Sequence, residues 1–198
     1  MDVRPILLSF QTAIIAILFT FVLGTGVAYI VFRLKNRKLK ILLNSLFTLP
    51  LVLPPTVFGF FLLTIFGVQQ PVGQFLLDFF AIQVVFSWPA TVIAAVAVSF
   101  PLMYRSALTA FEQMDSELLA VAQTLGFSES RYFRKIALPL SMNGLLAGGV
   151  LAFARGLGEF GATTMLAGNI AGKTRTLPLA IYSAVASGDW RLANQYVV

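Results

Sequence analysis

Ile6 to Phe32 runs without a single charged side chain. At 1.5 Å per residue, a helix of that length crosses the roughly 30 Å of hydrocarbon in a bilayer. A backbone in hydrocarbon must satisfy its own hydrogen bonds, so the run predicts a transmembrane α-helix and constrains everything after it to membrane-compatible structure. The composition extends this to the whole chain. Of the 198 residues, 58% are hydrophobic and 11% charged, and the mean hydropathy is +0.87; a soluble domain carries about a quarter charged residues. The sequence therefore predicts an all-α polytopic membrane protein forming one compact domain over residues 1–198. The N-terminal run is too long for a signal-peptide core and has no small-residue cleavage site after it, so it should stay in the mature protein. The chain has no cysteine and no histidine. Disulfide and thiolate chemistry are excluded, and the commonest metal ligand and acid–base group is missing.

Further spans are expected at about 41–68, 88–104 and 140–160, with the start of a fifth at 190–198. Between the first two lies Arg33-Leu-Lys-Asn-Arg-Lys-Leu-Lys40, with five basic residues and no acid. Such a patch could meet nucleic acid, but between two spans it reads as a cytoplasmic loop, which puts the N-terminus outside. Pro50, Pro54 and Pro55 interrupt the second span; either a packing kink or a broken helix beside a pathway follows. Gln69 to Ser87 holds one charge, Asp78, and reads as an external loop with a short interfacial helix around 75–80. Trp88 suits the outer interface, and Arg105 marks the cytoplasmic side. The fourth span is rich in small residues, as expected of a helix that packs closely against others. A fifth span that stops at Val198 suggests a chain incomplete at its C-terminus.

The longest polar stretch, 112–139, sits between the third and fourth spans. Asp115 and Ser116 can cap a helix whose first turn carries Glu117. Leu118, Leu119, Ala122 and Leu125 recur at helical spacing. Gly126 suits the C-terminal stop. Ser128 can cap a second short helix bearing Arg131, Arg134 and Lys135, and Pro139 fits the first turn of the next span. An ordinary loop between spans has no need of two helices and an apolar face; a docking surface does.

Gly126, nine residues, then Ile136-Ala137-Leu138-Pro139 resembles the EAA loop of ABC-importer permeases. The Glu-Ala-Ala of that family falls on Ala120-Val121-Ala122, so the Glu is absent here, with Glu117 one turn earlier. The resemblance implies a type I ABC-importer transmembrane domain whose loop fits a groove on each ATPase subunit. It assigns Glu117, Ala120, Ala122, Gly126, Ile136, Leu138 and Pro139 to coupling.

A second stretch, Phe153-Ala-Arg-Gly-Leu-Gly-Glu-Phe-Gly-Ala-Thr-Thr followed by Gly168-Asn-Ile-Ala-Gly-Lys-Thr-Arg-Thr-Leu-Pro-Leu, resembles the molybdate permeases, with the sulfate and tungstate permeases close by. Arg155 and Glu159 are spaced to pair on one helix face, in the outer half of the span. Two readings stand: a snorkelling Arg tied to its neighbour, or an ion pair near an outer gate. Thr163, Thr164, Asn169, Lys173, Thr174 and Arg175 follow. They could line the way in with hydroxyls and receive an anion or a binding protein, or Lys173 and Arg175 could be solvated loop charges.

The resemblance implies a homodimeric oxyanion pathway, two ATPase subunits beneath it, an external oxyanion-binding protein, a prokaryotic plasma membrane, and no nucleic acid. ATP closes the ATPase dimer, and the coupling helices turn that motion into outward opening. No glycine-rich loop ending in Gly-Lys-Ser/Thr occurs, so ATP and Mg²⁺ belong to the partner; no cofactor, metal ligand set or catalytic residue is expected in this chain. A channel would need a filter-like loop or a ring of charge. A proton-coupled carrier would need intramembrane relays, yet Glu159 is the one acid within a predicted span and has Arg155 as partner. A membrane-embedded enzyme would need a nucleophile or ligand set that the sequence lacks.

Overall fold

The computed structural model describes residues 2–115 and 117–197, which are helical with short connections. Helix α1, Arg4–Arg33, opens with Pro5 in its first turn, where a missing N–H does no harm. Asn36 then accepts hydrogen bonds from the Lys38 and Leu39 amides and starts α2, Arg37–Val52. The basic stretch 33–40 is therefore largely the first turn of a helix rather than a loop, because Asn36 supplies a cap and Lys and Arg are good helix formers.

Helix α2 ends at Val52 and α3 runs Pro55–Phe66, bent by 113° from it. Instead of one span over 41–68 there are two helices at a sharp break. Pro54 and Pro55 donate no backbone hydrogen bonds, and the residue before a proline is driven from helical geometry. Leu53 and Pro54 accordingly have ψ of 138° and 135°. Helix α4, Pro71–Phe80, begins one turn ahead of the expected interfacial segment.

Helix α5 spans Trp88–Glu112, well past the expected end at residue 104. Arg105 does not stop it because the apolar spacing continues: Tyr104, Ala107, Leu108 and Phe111 are all buried. Helices α1 and α5 lie side by side and parallel. Thr12 pairs with Thr91 and Thr20 with Ser99, each hydroxyl pair 3.0 Å apart and 79 residues apart in sequence.

The polar stretch folds as α6, Glu117–Thr124, then α7, Glu129–Tyr132, a π-helical turn over Phe133–Ala137, and α8, Leu138–Leu140. The segment Glu129–Leu140 meets α9, Met142–Leu157, at 72°. Pro139 therefore lies at the end of the polar segment rather than in the first turn of the following span. Helix α9 returns antiparallel to α5. Gly148 faces Ser106 and Gly144 faces Ala110 so closely that an added Cβ would stand 2.5 and 2.6 Å from theirs. Small residues at both contacts let the backbones approach.

The expected span 140–160 ends early, at Leu157, and after a break the chain resumes as α10, Gly161–Ala167. Helix α10 packs on α3, where a Cβ on Gly59 would meet the Ala162 Cα at 2.6 Å. Helices α11, Leu177–Ala186, and α12, Trp190–Val197, follow. Helices α1, α5 and α9 thus form the central bundle, and α3 and α10 meet beside it.

Candidate functional site

Just past the end of α5, Asp115 accepts from the Glu117 amide at 2.9 Å and starts α6; its expected companion Ser116 lies outside the described residues. Gly126 takes φ +74°. The Phe127 amide reaches the Ala122 carbonyl at 2.9 Å and the Gly126 amide that of Gln123 at 3.0 Å. These two bonds form a Schellman stop, which requires a left-handed residue at that point. Ser128 then caps α7 through the Arg131 amide.

This segment is fastened from behind. Arg33 at the end of α1 bonds Glu129. Phe133 stacks against Tyr29 with ring centroids 4.5 Å apart, beside Phe111. Tyr132 is buried, and burial pushes its phenol above the ordinary pKa, so it stays a neutral hydroxyl. Ala122 and Ala137 are buried, and Ile136 and Leu138 are half-buried against the same core. The other side faces outward: Glu117, Ala120, Val121, Leu125, Arg131, Arg134, Lys135 and Pro139 are exposed. The expected single face of Leu118, Leu119, Ala122 and Leu125 is divided. The first three turn toward the core, and Leu125, at the end of the helix, is 70% exposed.

At the other end of α9, Arg155 Nη1 and Glu159 Oε2 are 2.6 Å apart. The Glu159 side chain is 2% exposed and that of Arg155 31%, so the acid is buried while the guanidinium reaches outward. Its second oxygen, Oε1, accepts from the Ala162 amide at 2.6 Å. One carboxylate therefore ties the end of α9 to the start of α10 across the break. Only the pairing with Arg155 was legible in the sequence; an acid three residues before a new helical turn was the unused signal.

The residues beyond are divided between core and surface. Thr163 is buried, and Thr164 donates to the Phe160 carbonyl. Thr174 accepts from the Ile170 amide and donates to the Gly168 carbonyl. Asn169 accepts from Arg175 Nε at 2.8 Å and donates to Ser183 at 2.7 Å. Lys173 stands apart, exposed. The structure thus brings together Arg155 with Glu159 and Asn169 with Arg175. Sequence reasoning missed the Thr12–Thr91 and Thr20–Ser99 pairs, although both strings repeat a hydroxyl at a spacing of eight residues. It also missed the Arg33–Glu129 and Lys40–Glu112 ion pairs and the Tyr104 hydroxyl on Asn44.

Residues 17–187 match the family described as the binding-protein-dependent transport system inner membrane component. The chain belongs to this family. Its fold is the type I ABC-importer transmembrane domain, and its family works with an ATPase and a binding protein in the inner membrane. Two relatives are named molybdenum transport system permease protein ModB. The one from Haemophilus influenzae is 44% identical over 185 residues, 93% of this chain and 80% of its own length. The one from Escherichia coli K12 is 44% identical over 182 residues, 92% of this chain and 79% of its own length. YvgM of Bacillus subtilis strain 168 is 46% identical over 194 residues, 98% of this chain and 85% of its own length.

Proposed function

We propose that this permease is the membrane subunit of an ATP-driven molybdate importer, with two copies forming the pathway, two ATPase subunits beneath and an external oxyanion-binding protein above. The observation that carries the substrate is the 44% identity to two ModB proteins over more than nine-tenths of the chain. The protein is a transport subunit rather than an enzyme, and ATP and Mg²⁺ are held by the partner. The N-terminus lies outside, so that the ends of α1 and α5 and the segment 112–139 face the cytoplasm. The chain has no native cysteine. Single cysteines at Asn36 and Ser128 should be shielded from an impermeant thiol reagent in intact cells, and one at Ala171 labelled; labelling at Ser128 would invert the topology.

The exposed side of α6–α8, with Glu117, Ala120 and Pro139 on it, meets the ATPase, while Ala122, Gly126, Ile136 and Leu138 fix that side to the bundle. When the ATPase dimer closes, the segment moves as a body, and the Arg33–Glu129 bond and the aromatic packing on Tyr29 pass the displacement to α1 and α5. Arg155 and Glu159 hold the α9/α10 break near the outer gate. Thr163, Thr164, Asn169, Lys173 and Arg175 belong to the outer approach, with Lys173 receiving the ion or the binding protein. Sulfate, thiosulfate or tungstate is the second reading, since the same tetrahedral dianion would pass. The test is ATP-driven uptake into proteoliposomes holding the whole complex, with each oxyanion supplied on its own binding protein. Molybdate should accumulate. Accumulation of a neutral sugar or an amino acid, with no oxyanion, would overturn the proposal.

A further inference from the structure

Two adjoining hollows, of about 430 and 470 Å³, run along one flank of the α5/α9 pair toward the cytoplasmic end. They share Ala110, Gln113 and Gly144 and so form one groove. Its α5 wall carries Arg105, Thr109 and Gln113, all exposed and spaced i, i+4, i+8 on a single helix face. Asn143 adds an amide from α9.

The upper part of this stripe, Arg105 and Thr109, lies at membrane depth, while Gln113 falls level with Leu34, just past Arg33. The constant offset of 79 between α1 and α5 sets Arg105 level with Gly26. That is seven residues, or about 10 Å, above Arg33 on a helix that carries no charge between them. Lipid tails cannot solvate a guanidinium and a hydroxyl one turn apart; such residues face a cavity or another protein. Arg33 and Lys40 have carboxylate partners, whereas Arg105 has neither an ion pair nor a hydrogen bond among the described residues. The one acid that lines the groove, Asp115, lies at its cytoplasmic mouth, where its carboxylate already accepts from the Glu117 amide.

We propose that this groove is the inner leg of the oxyanion's path. Arg105 receives the ion from above, and Thr109, Gln113 and Asn143 pass it on through single hydrogen bonds toward the mouth beside α6. One mobile cation at the top attracts a dianion, and neutral donors below it let the ion leave, since conduction needs contacts weak enough to release. The inference rests on the oxyanion reading for its ligand, but the presence of water in the groove is testable without it.

The test uses the reconstituted complex with partner subunits free of reactive cysteines. Thr109→Cys should react with an anionic methanethiosulfonate about tenfold faster than Val22→Cys, an exposed apolar position of α1, because only a thiol in water ionises. Saturating molybdate should slow the reaction at Thr109→Cys. In uptake assays Arg105→Glu should lower molybdate accumulation about tenfold or more, and Arg105→Lys should restore most of it, because the requirement is for positive charge. Equal labelling of Thr109→Cys and Val22→Cys, or parental uptake by Arg105→Glu, overturns the proposal. Should the parent complex import some other solute, the oxyanion reading fails, while the labelling ratio still decides whether the groove is wet.

Discussion

The two ends of α9 are built on opposite principles. At its N-terminal end, the polar segment is fastened to the bundle by one side, through Ala122, Tyr132, Ala137 and the Arg33–Glu129 bond, and leaves the other side bare. At its C-terminal end, most polar groups are committed to neighbours within the chain: Glu159 to Arg155 and the Ala162 amide, Thr174 to two backbone groups and, on the surface, Asn169 to Arg175 and Ser183. The first arrangement offers a surface to a partner. The second locks a helix break that would otherwise leave a buried amide and a buried carboxylate unsatisfied. Substitutions at the C-terminal end should therefore act chiefly on stability, and those at the N-terminal end, under the proposed function, chiefly on coupling.

The largest effect should come from Glu159→Ala. It leaves Arg155 without its anion and the Ala162 amide without its acceptor, both beside a buried site. Arg155 is 31% exposed, so the loss comes chiefly from the unsatisfied Ala162 amide and the unpaired guanidinium, about 1–3 kcal/mol. The purified permease complex should melt several degrees lower, and its folded yield should fall. Glu159→Gln keeps an oxygen for the Ala162 amide and should lie between. An unchanged melting temperature for Glu159→Ala would show that the lock does not hold the fold.

Gly126→Val should reverse that pattern. A branched side chain at φ +74° is strained by about 1 kcal/mol or more, yet an added Cβ meets nothing within 4 Å. The strain stays local to the Schellman turn, so the melting temperature should move little, while transport falls and the ATPase detaches or runs uncoupled. Full transport by the complex would mean that the turn is not the pivot of the docking surface.

This contrast also explains which features could be read in the sequence. Gly126 and the Arg155–Glu159 spacing were legible because each depends on residues a turn apart. The membrane character was legible because uncharged runs need no tertiary context. The end of α5 was misplaced because Arg105 looked like a boundary, whereas Ala107, Leu108 and Phe111 continue the buried face beyond it. Whether the prolines kink or break the second span could not be settled locally: the prolines allow both, and the 113° turn goes with α3 packing on α10 at Gly59, a contact distant in sequence. The capping role of Glu159 was hidden for a related reason, since it exists only because α9 stops at Leu157. Of the polar column along the groove only Arg105 was read, as a boundary; its i, i+4, i+8 spacing with Thr109 and Gln113 was an unused signal, and the packing of α9 adds Asn143 to the column.

The smallest effect should come from the hydroxyl ladder between α1 and α5, which belongs to neither end. Thr20→Val removes the 3.0 Å bond to Ser99 at a fully buried position, with little change in volume. Ser99 is not stranded, because its hydroxyl also bonds the Ala95 carbonyl at 2.6 Å. Hydrogen bonds between membrane helices are worth about 0.6 kcal/mol on average. The expected outcome is a complex that transports normally and melts only slightly lower. The contrast is Gly24→Leu at the same interface, where even a Cβ would stand 2.7 Å from Met103 Cγ and must drive the helices apart. If Thr20→Val proves as damaging as Gly24→Leu, the parallel pair is held by its hydroxyls rather than by close packing, and the hydroxyls, not the small residues, set the register of 79.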